Sequence, residues 1–278
     1  MLFNYHTHTR FSDGTGEPEM FIKQALDLGF DALGFSEHSP LPFENTFALN
    51  GTQLEEYSVT VRKMAEQYAV KIKIWLGMEM DYIPGYSEDF AMVAAQCRLD
   101  YTIGSVHLVV SPSGELWFID GPVPEIYDDG LAYLFDGDIR KAVTAYYHQI
   151  NRMVETQKPD IIGHLDKIKM HNRECYFRED EPWHKALVSE TLGLIAETGT
   201  IVEVNTRGIY KKRSNTTFPG IEILKQLKKL GVRVTISSDA HKAEELNGAF
   251  DIANQLLAEA DIKEVAFYNG NGWEQTAL

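Results

Sequence analysis

Short apolar runs rich in β-branched and aromatic residues alternate along this chain with segments whose apolar residues recur at i, i+3 and i+4. The runs predict strands at Leu2–His6, Ala32–Ser36, Ile72–Glu79, Tyr101–Val106, Ile161–His164, Ile201–Asn205 and Val232–Ser237, with a further one at Val265–Tyr268. The helical-period segments are Pro18–Leu28, Leu54–Tyr68, Glu88–Cys97, Ile139–Thr156, Trp183–Glu197, Ile221–Leu230 and Glu244–Ala260. A βαβα succession implies a parallel sheet covered by helices, either closed into a barrel or doubly wound. Pro18 suits a first helical turn, and Gly29, Gly199 and Gly231 stand just past helix ends. The longest stretch without periodicity, Ser111–Gly137, is rich in Pro, Gly and Asp and reads as an irregular functional loop.

Nothing in the pattern looks like a linker, so residues 1–278 are expected to form a single domain. The start lacks a basic, then apolar, leader and no window is long enough to span a bilayer, which together point to a cytoplasmic protein without a membrane partner. Cys97 and Cys175 have no CxxC spacing and read as buried small hydrophobes. The formal net charge of -15 opposes a nucleic-acid partner. An acidic chain that works on phosphates needs metal ions to reverse the local field.

The candidate chemistry lies where strands end. His6 and His8 are two apart at the end of the first strand, on one face, the geometry of chelation. His38 ends the second strand, Glu79 the third, His107 the fourth and His164 the fifth, while Asp239 and His241 repeat the i, i+2 spacing after the seventh. Carboxyl ends of strands converge on one face of a (β/α) barrel. Six of the nine histidines fall there, with Glu79 and Asp239, which predicts a metal site. His148, His171 and His184 do not end strands and are assigned local structural or surface roles.

The series His6-Thr7-His8, Asp13, Glu37-His38, Gly77-Met78-Glu79, Gly104-Ser105-Val106-His107, Gly163-His164-Leu165-Asp166 and Ser238-Asp239-Ala240-His241, in this order, resembles the polymerase-and-histidinol-phosphatase (PHP) superfamily. The chain length, Trp117-Phe118-Ile119-Asp120, Tyr146-Tyr147 and Val204-Asn205-Thr206-Arg207-Gly208 are similar to its histidinol-phosphate phosphatase branch. The resemblance implies an α/β fold, a single-domain distorted (β/α)7 barrel of TIM-like form, with three divalent ions at the strand ends. One ion would be held by His6, His8, Glu79 and Asp239, a second by Glu79, His107 and His164, and a third by Asp13, His38 and His241. Asp13 stands where some relatives carry histidine. The nitrogen and oxygen ligands suit Zn, Mn or Fe alike.

Two ions sharing Glu79 would lie about 3.5–4 Å apart, the spacing for in-line displacement at phosphorus by a metal-bridging hydroxide. The implied reaction is hydrolysis of a small phosphomonoester, L-histidinol phosphate first, with a phosphodiesterase or exonuclease of the same superfamily as the alternative. Arg207 is the first candidate to grip the phosphate and Lys169 the second, with Lys167 close behind. Asp239 or His241 would return a proton to the leaving alcohol. Glu37, Trp117 and Asp120 are candidates to receive the ammonium and imidazole of the substrate, with Glu115 and Asp128 of the same loop in support.

Overall fold

The computed structural model describes residues 1–278. In chain order it holds β1 (Phe3–Asn4), α1 (Pro18–Asp27), β2 (Ala32–Phe35), α2 (Leu54–Tyr68), β3 (Lys73–Asp81), α3 (Phe90–Cys97) and β4 (Tyr101–Ser105). A hairpin of β5 (Leu108–Val110) and β6 (Leu116–Phe118) follows, then α4 (Pro124–Leu134), α5 (Ile139–Thr156), β7 (Ile161–Ile162), α6 (Pro182–Thr198) and β8 (Ile201–Asn205). The chain ends with the short α7 (Arg207–Tyr210), α8 (Ile221–Leu230), β9 (Val234–Ser237), α9 (Phe250–Glu259), β10 (Glu264–Tyr268) and β11 (Trp273–Ala277).

Seven parallel strands pair in the order β1-β2-β3-β4-β7-β8-β9 and make a near-closed barrel. Parallel neighbours need long crossovers, and the helices supply them. The last seam, between β1 and β9, closes by a bridge between Thr7 and Ala240 beyond both strands. There the His8 N–H donates to Ala240 O at 2.8 Å and the Ala240 N–H to His6 O at 3.1 Å. Closure is thus made at the carboxyl end, among the residues singled out for chemistry.

At the opposite end the barrel is plugged by aromatic rings. The segment Val265–Tyr268, expected as one more strand of the series, lies in β10, which pairs antiparallel with β11 outside the seven-stranded sheet. Trp273 from this hairpin meets Tyr5 edge-on at 5.4 Å and Tyr101 at 6.0 Å, and the Tyr268 N–H donates to the Tyr5 hydroxyl at 3.0 Å. Tyr101 reaches across the barrel interior, where its hydroxyl donates to Tyr5 O at 2.5 Å. It can do so because Gly34 and Gly77 lack side chains: a Cβ at either would lie 2.2 Å from the tyrosine, against Oη and Cζ respectively.

Four expectations need correction. Ser111–Gly137 is not irregular, because it contains β6 and α4. Trp117 is no cleft residue: it is 1% exposed, donates its indole N–H to Tyr127 O at 3.1 Å and packs on Tyr127 and Phe135. The two-residue period of β6 turns Trp117 under α4 and its neighbour Phe118 the other way. Cys175 is exposed rather than buried, while Cys97 is buried as expected. The helix expected from Glu244 begins at Phe250, since Ala249 adopts φ 56° and Ala243–Glu245 forms a separate 3-10 turn. No helix is long and apolar enough to cross a membrane.

The Tyr101 contacts give a direct test. Gly77→Ala forces the tyrosine out of its slot and is expected to lower unfolding free energy by about 1–3 kcal/mol or more, the usual cost of overpacking. Urea denaturation monitored by fluorescence measures it; a variant as stable as the parent would contradict the packing described.

Candidate metal centre

Glu79, on β3, is the hub of the cleft at the carboxyl end of the barrel. Its Oε2 lies 3.1 Å from His6 Nε2, 3.4 Å from His8 Nε2 and 3.1 Å from His38 Nδ1. Its Oε1 lies 3.0 Å from His164 Nε2 and 3.5 Å from His107 Nε2. Asp239 Oδ1 adds contacts of 3.9 Å to His6, 3.6 Å to His8 and 3.4 Å to His241. Asp13 Oδ1, from the loop after β1, stands 3.0 Å from His241 Nε2, 3.8 Å from His38 Nε2 and 4.0 Å from His8 Nδ1. All nine residues expected as ligands therefore meet in one network. His164 and Asp239 take φ of 24° and 54°, a left-handed backbone that non-glycine residues adopt at a cost and that recurs at functional sites.

Three groups bring one ligand atom per residue within 4.8 Å of one another: His8, Asp13, His38 and His241; His6, His8 and Glu79; and His38, Glu79 and His107. His6 Nε2, His8 Nε2 and His38 Nδ1 are buried with no hydrogen-bond partner. Buried imidazole nitrogens facing an ionised carboxylate without hydrogen bonds are costly, and a divalent cation satisfies them all. The donor set fits such a cation.

The PHP domain family matches residues 4–207. The chain belongs to the PHP domain family. It is 26% identical over 264 residues to the histidinol-phosphatase of Bacillus subtilis, covering 88% of this chain and 96% of the relative. A Listeria monocytogenes crystal structure superposes with a TM-score of 0.81 at 21% identity, covering 90% of this chain and 99% of that one. The Lactococcus lactis histidinol phosphate phosphatase, crystallised with zinc, L-histidinol and phosphate, superposes with a TM-score of 0.71 at 22% identity over 98% of both chains.

Two buried carboxylates that the sequence reading missed hold the PHP histidines in place. Glu203, in the middle of β8, lies 2.5 Å from His6 Nδ1 through Oε1 and accepts the His164 N–H at 2.8 Å through Oε2. Asp81, at the end of β3, bonds His107 Nδ1 and stands 3.4 Å from His38 Nδ1. A carboxylate bound at Nδ1 fixes the ring so that Nε2 is the atom turned toward Glu79, and a cation binding there would displace the proton that Nε2 carries in the metal-free chain. Both left a trace in the sequence. Glu203 is the one ionisable residue in an otherwise apolar run, and Asp81 follows Glu79 at i, i+2, on the same face of the strand.

Electrostatics within the cluster are steep. Burial opposes ionisation of Glu79, but His6, His38 and His107 outweigh it and hold the carboxyl well below the usual range. Burial likewise opposes charge on His38, yet Glu79, Asp81 and Asp13 push it up to about 9. For His107 the same contest, won by Asp81, Asp120 and Glu79, ends at about 10. Burial and the neighbouring His241, His38 and His6 hold His8 well below its ordinary value, leaving it neutral.

Among the residues expected to touch substrate, Arg207, Asp120 and Lys167 line a cleft of about 210 Å³ beside Glu79. Arg207 Nη1 donates to Asp239 O at 2.6 Å. Asp120 Oδ2 lies 3.6 Å from Lys167 Nζ and 3.8 Å from His107 Nε2, while its Oδ1 has no partner. Arg213 also lines the cleft and was missed; it ends the Lys211-Lys212-Arg213 run, whose last two residues are exposed.

Lys169 and Glu37 do not reach the cleft. Lys169 Nζ is buried against Asp166 at 2.7 Å and Glu179 at 3.2 Å, because β7 gives way to a 3-10 turn that aims Lys167 and Lys169 at different sides. Glu37 is fully buried, and its carboxylate accepts the Thr9 N–H at 3.0 Å, the Thr9 hydroxyl at 2.6 Å and the Ser12 hydroxyl. It braces the loop that carries Asp13. Asp128 pairs with Arg173 at 3.0 Å, and Glu115 is exposed on the hairpin turn. His148 is exposed, whereas His171 and His184 are buried and bond Gly121 O at 2.8 Å and Glu179 O at 3.1 Å.

Two measurements probe this centre. Glu203→Gln removes the charge that orients His6 and is expected to weaken zinc or manganese binding by about 10–100-fold, read by competition with a chelating dye. Because His38 and His107 carry protons below about pH 9 and 10, metal uptake by the metal-free chain at neutral pH must displace protons. Affinity therefore rises with pH up to that range. Calorimetry in buffers of different ionisation enthalpy reads the protons released, and a pH-independent affinity would contradict the charge balance.

Proposed function

We propose that this PHP chain is a metal-dependent phosphomonoesterase that hydrolyses L-histidinol phosphate to L-histidinol and phosphate. The observation that carries the reading is the juxtaposition of the Glu79-centred ligand network with a cleft lined by Lys167, Arg207 and Arg213. An anion-binding arc beside a polynuclear cation site suits phosphoryl chemistry. The Bacillus subtilis and Lactococcus lactis relatives, both called histidinol-phosphatase, support the substrate, as does the Lactococcus structure with zinc, L-histidinol and phosphate. The cleft, at about 210 Å³, is smaller than typical drug-sized sites and suits a small monoester.

Three divalent ions are part of the proposal. His6, His8, Glu79 and Asp239 would hold one, Glu79, His107 and His164 a second, and Asp13, His38 and His241 a third. The close approach of His8 to the last group and of His38 to Glu79 ties the three sets together. Such ions supply Lewis-acid charge to the phosphoryl oxygens and acidify the attacking water.

The chain's own groups do the rest. The Arg207 guanidinium, fixed at one nitrogen by Asp239 O, presents its remaining N–H groups to phosphate, and Lys167 and Arg213 add charge from the same side. Asp239 and His241, joined by a 3.0 Å bond from the imidazole Nδ1 to the Asp239 carbonyl, border the cleft and can return a proton to the leaving oxygen. Asp120, with its partnerless Oδ1, is placed to accept the ammonium or imidazole N–H of the substrate. No side-chain nucleophile is required.

Steady-state kinetics on L-histidinol phosphate and on nucleoside phosphodiesters test the reading: kcat/KM is expected to favour the monoester, and a preference for diesters would overturn it. Arg207→Ala should lower kcat/KM by about 10–100-fold, the range expected for losing a charged hydrogen-bond partner. Lys167→Ala should raise KM, whereas Lys169→Ala should reduce stability more than it changes KM, since Lys169 neutralises buried Asp166. The opposite ranking of the two lysines would refute their placement.

A further inference from the structure

The cleft beside Glu79 is lined chiefly by ionisable and polar side chains, and two partly exposed phenyl rings, Phe47 and Phe118, interrupt that lining. Neither belongs to the hydrophobic core nor to the residues packed against it. They come from separate parts of the chain, Phe47 from the segment after β2 and Phe118 from the end of β6, yet their rings stack with centroids 5.9 Å apart and planes 12° from parallel. Both are fixed from behind. Phe47 meets the face-to-edge neighbour His38 at 5.3 Å and 81°. Phe118 lies over Gly121, where a Cβ would come within 2.8 Å of Cε1, so any larger residue would displace the ring.

A lone apolar side chain on a surface needs no explanation. Two aligned rings, held at the mouth of an ionic cleft and left partly in water, are different: a flat ligand would bury them and gain stacking as well as area. Their position relative to the cations adds direction. Lys167, Arg207 and Arg213 follow β7 and β8, while the phenyls follow β2 and β4, the neighbouring arc of the barrel. A phosphoryl group held by the cations and the Glu79 network would have that arc beside its ester substituent.

We propose that Phe47 and Phe118 form a wall that selects leaving alcohols bearing a planar ring. The proposal rests on the phosphomonoesterase reading above and deepens it, because it names the part of the substrate that sets specificity. A neutral heteroaromatic ring stacks on the wall, and a protonated one gains cation–π attraction in addition. The wall offers no charged or hydrogen-bonding group to the amine or the phosphate, so it discriminates through the ring.

L-histidinol phosphate and L-alaninol phosphate differ by the ring alone, so the ratio of their kcat/KM values isolates it. The metal-loaded parent is expected to favour the ring-bearing ester by about tenfold or more, and Phe47→Ala and Phe118→Ala each to reduce that ratio several-fold. Phe47→Leu and Phe118→Leu, which keep apolar bulk, guard against misfolding and should reduce it in the same sense. Metal content per chain, measured alongside, separates loss of the wall from disturbance of His38. Calorimetric binding of L-histidinol against L-alaninol, in the presence of inorganic phosphate, should lose its preference in parallel. A parent ratio near one, or a ratio unchanged by all four substitutions, would overturn the wall while the phosphatase reading stood. A parent that cleaves diesters and spares both monoesters would overturn both.

Discussion

Two backbone hydrogen bonds, His8 N–H to Ala240 O and Ala240 N–H to His6 O, hold the first strand end of this barrel to the last. They close the sheet, and the same residues flank the cleft. His6 and His8 lie on one side of the seam, Asp239 and His241 on the other, more than 230 positions later in the chain. Had the sheet remained open, as in doubly wound folds, the Asp239 carboxylate would not sit beside the two imidazoles. Closure also explains the aromatic plug beneath. With the β1–β9 seam bridged only beyond the strands, Tyr5, Tyr101 and Trp273 fill the end that backbone pairing leaves to side chains.

The seam brings together charges that do not balance well on their own. Glu79, Asp81, Glu203 and Asp239 are all buried, and the imidazoles around them divide into ones lifted above their ordinary value and ones pressed below it. A cluster with His8 held neutral between protonated His6 and His38 stays together because carboxylates alternate with the rings. Cations would replace those protons and leave the same carboxylates in place. The fold thus keeps a site in which proton and metal compete for one set of nitrogens, and Glu203 and Asp81 keep the rings aimed in either case.

How much of this was legible in the sequence depended on the local period. Strand-end residues could be read because a two-residue repeat fixes which side chains share a face, and His6 with His8, or Asp239 with His241, obey it. The same rule, applied beyond the strand, misled. Lys167 and Lys169 look equivalent by spacing, but β7 is only Ile161–Ile162 and the 3-10 turn after it sends the second lysine to Asp166. Trp117 was taken for a cleft residue as an aromatic of the Ser111–Gly137 stretch; the pleat of β6 gives the cleft to Phe118. Glu37 was chosen for standing next to His38, and the strand period turns it the other way, toward Thr9 and Ser12. Glu203 and Asp81 escaped because their partners are ring nitrogens from distant strands, a relation no local pattern records.

The acidic composition, finally, is less of an obstacle to phosphate than the net charge suggests. Most carboxylates at the cleft are committed: Asp13, Glu79 and Asp239 face imidazoles, Glu203 behind them is bonded to His6 and His164 and Asp81 to His107, while Asp120 keeps its Oδ1 without a partner. Facing the cavity beyond them are Lys167, Arg207 and Arg213, of which Arg207 is anchored through a backbone carbonyl rather than consumed by a short carboxylate pair, its nearest acidic oxygens lying 3.8 and 4.0 Å away. An anion in the cleft therefore has three cationic side chains beside it, with Asp120 the lining carboxylate that keeps an oxygen open. The net charge of -15 would repel a long polyanion more strongly than a small monoester. Selectivity for size and charge would then depend on where the charges stand, and the stacked Phe47 and Phe118 are the apolar feature of a cleft otherwise lined by polar groups.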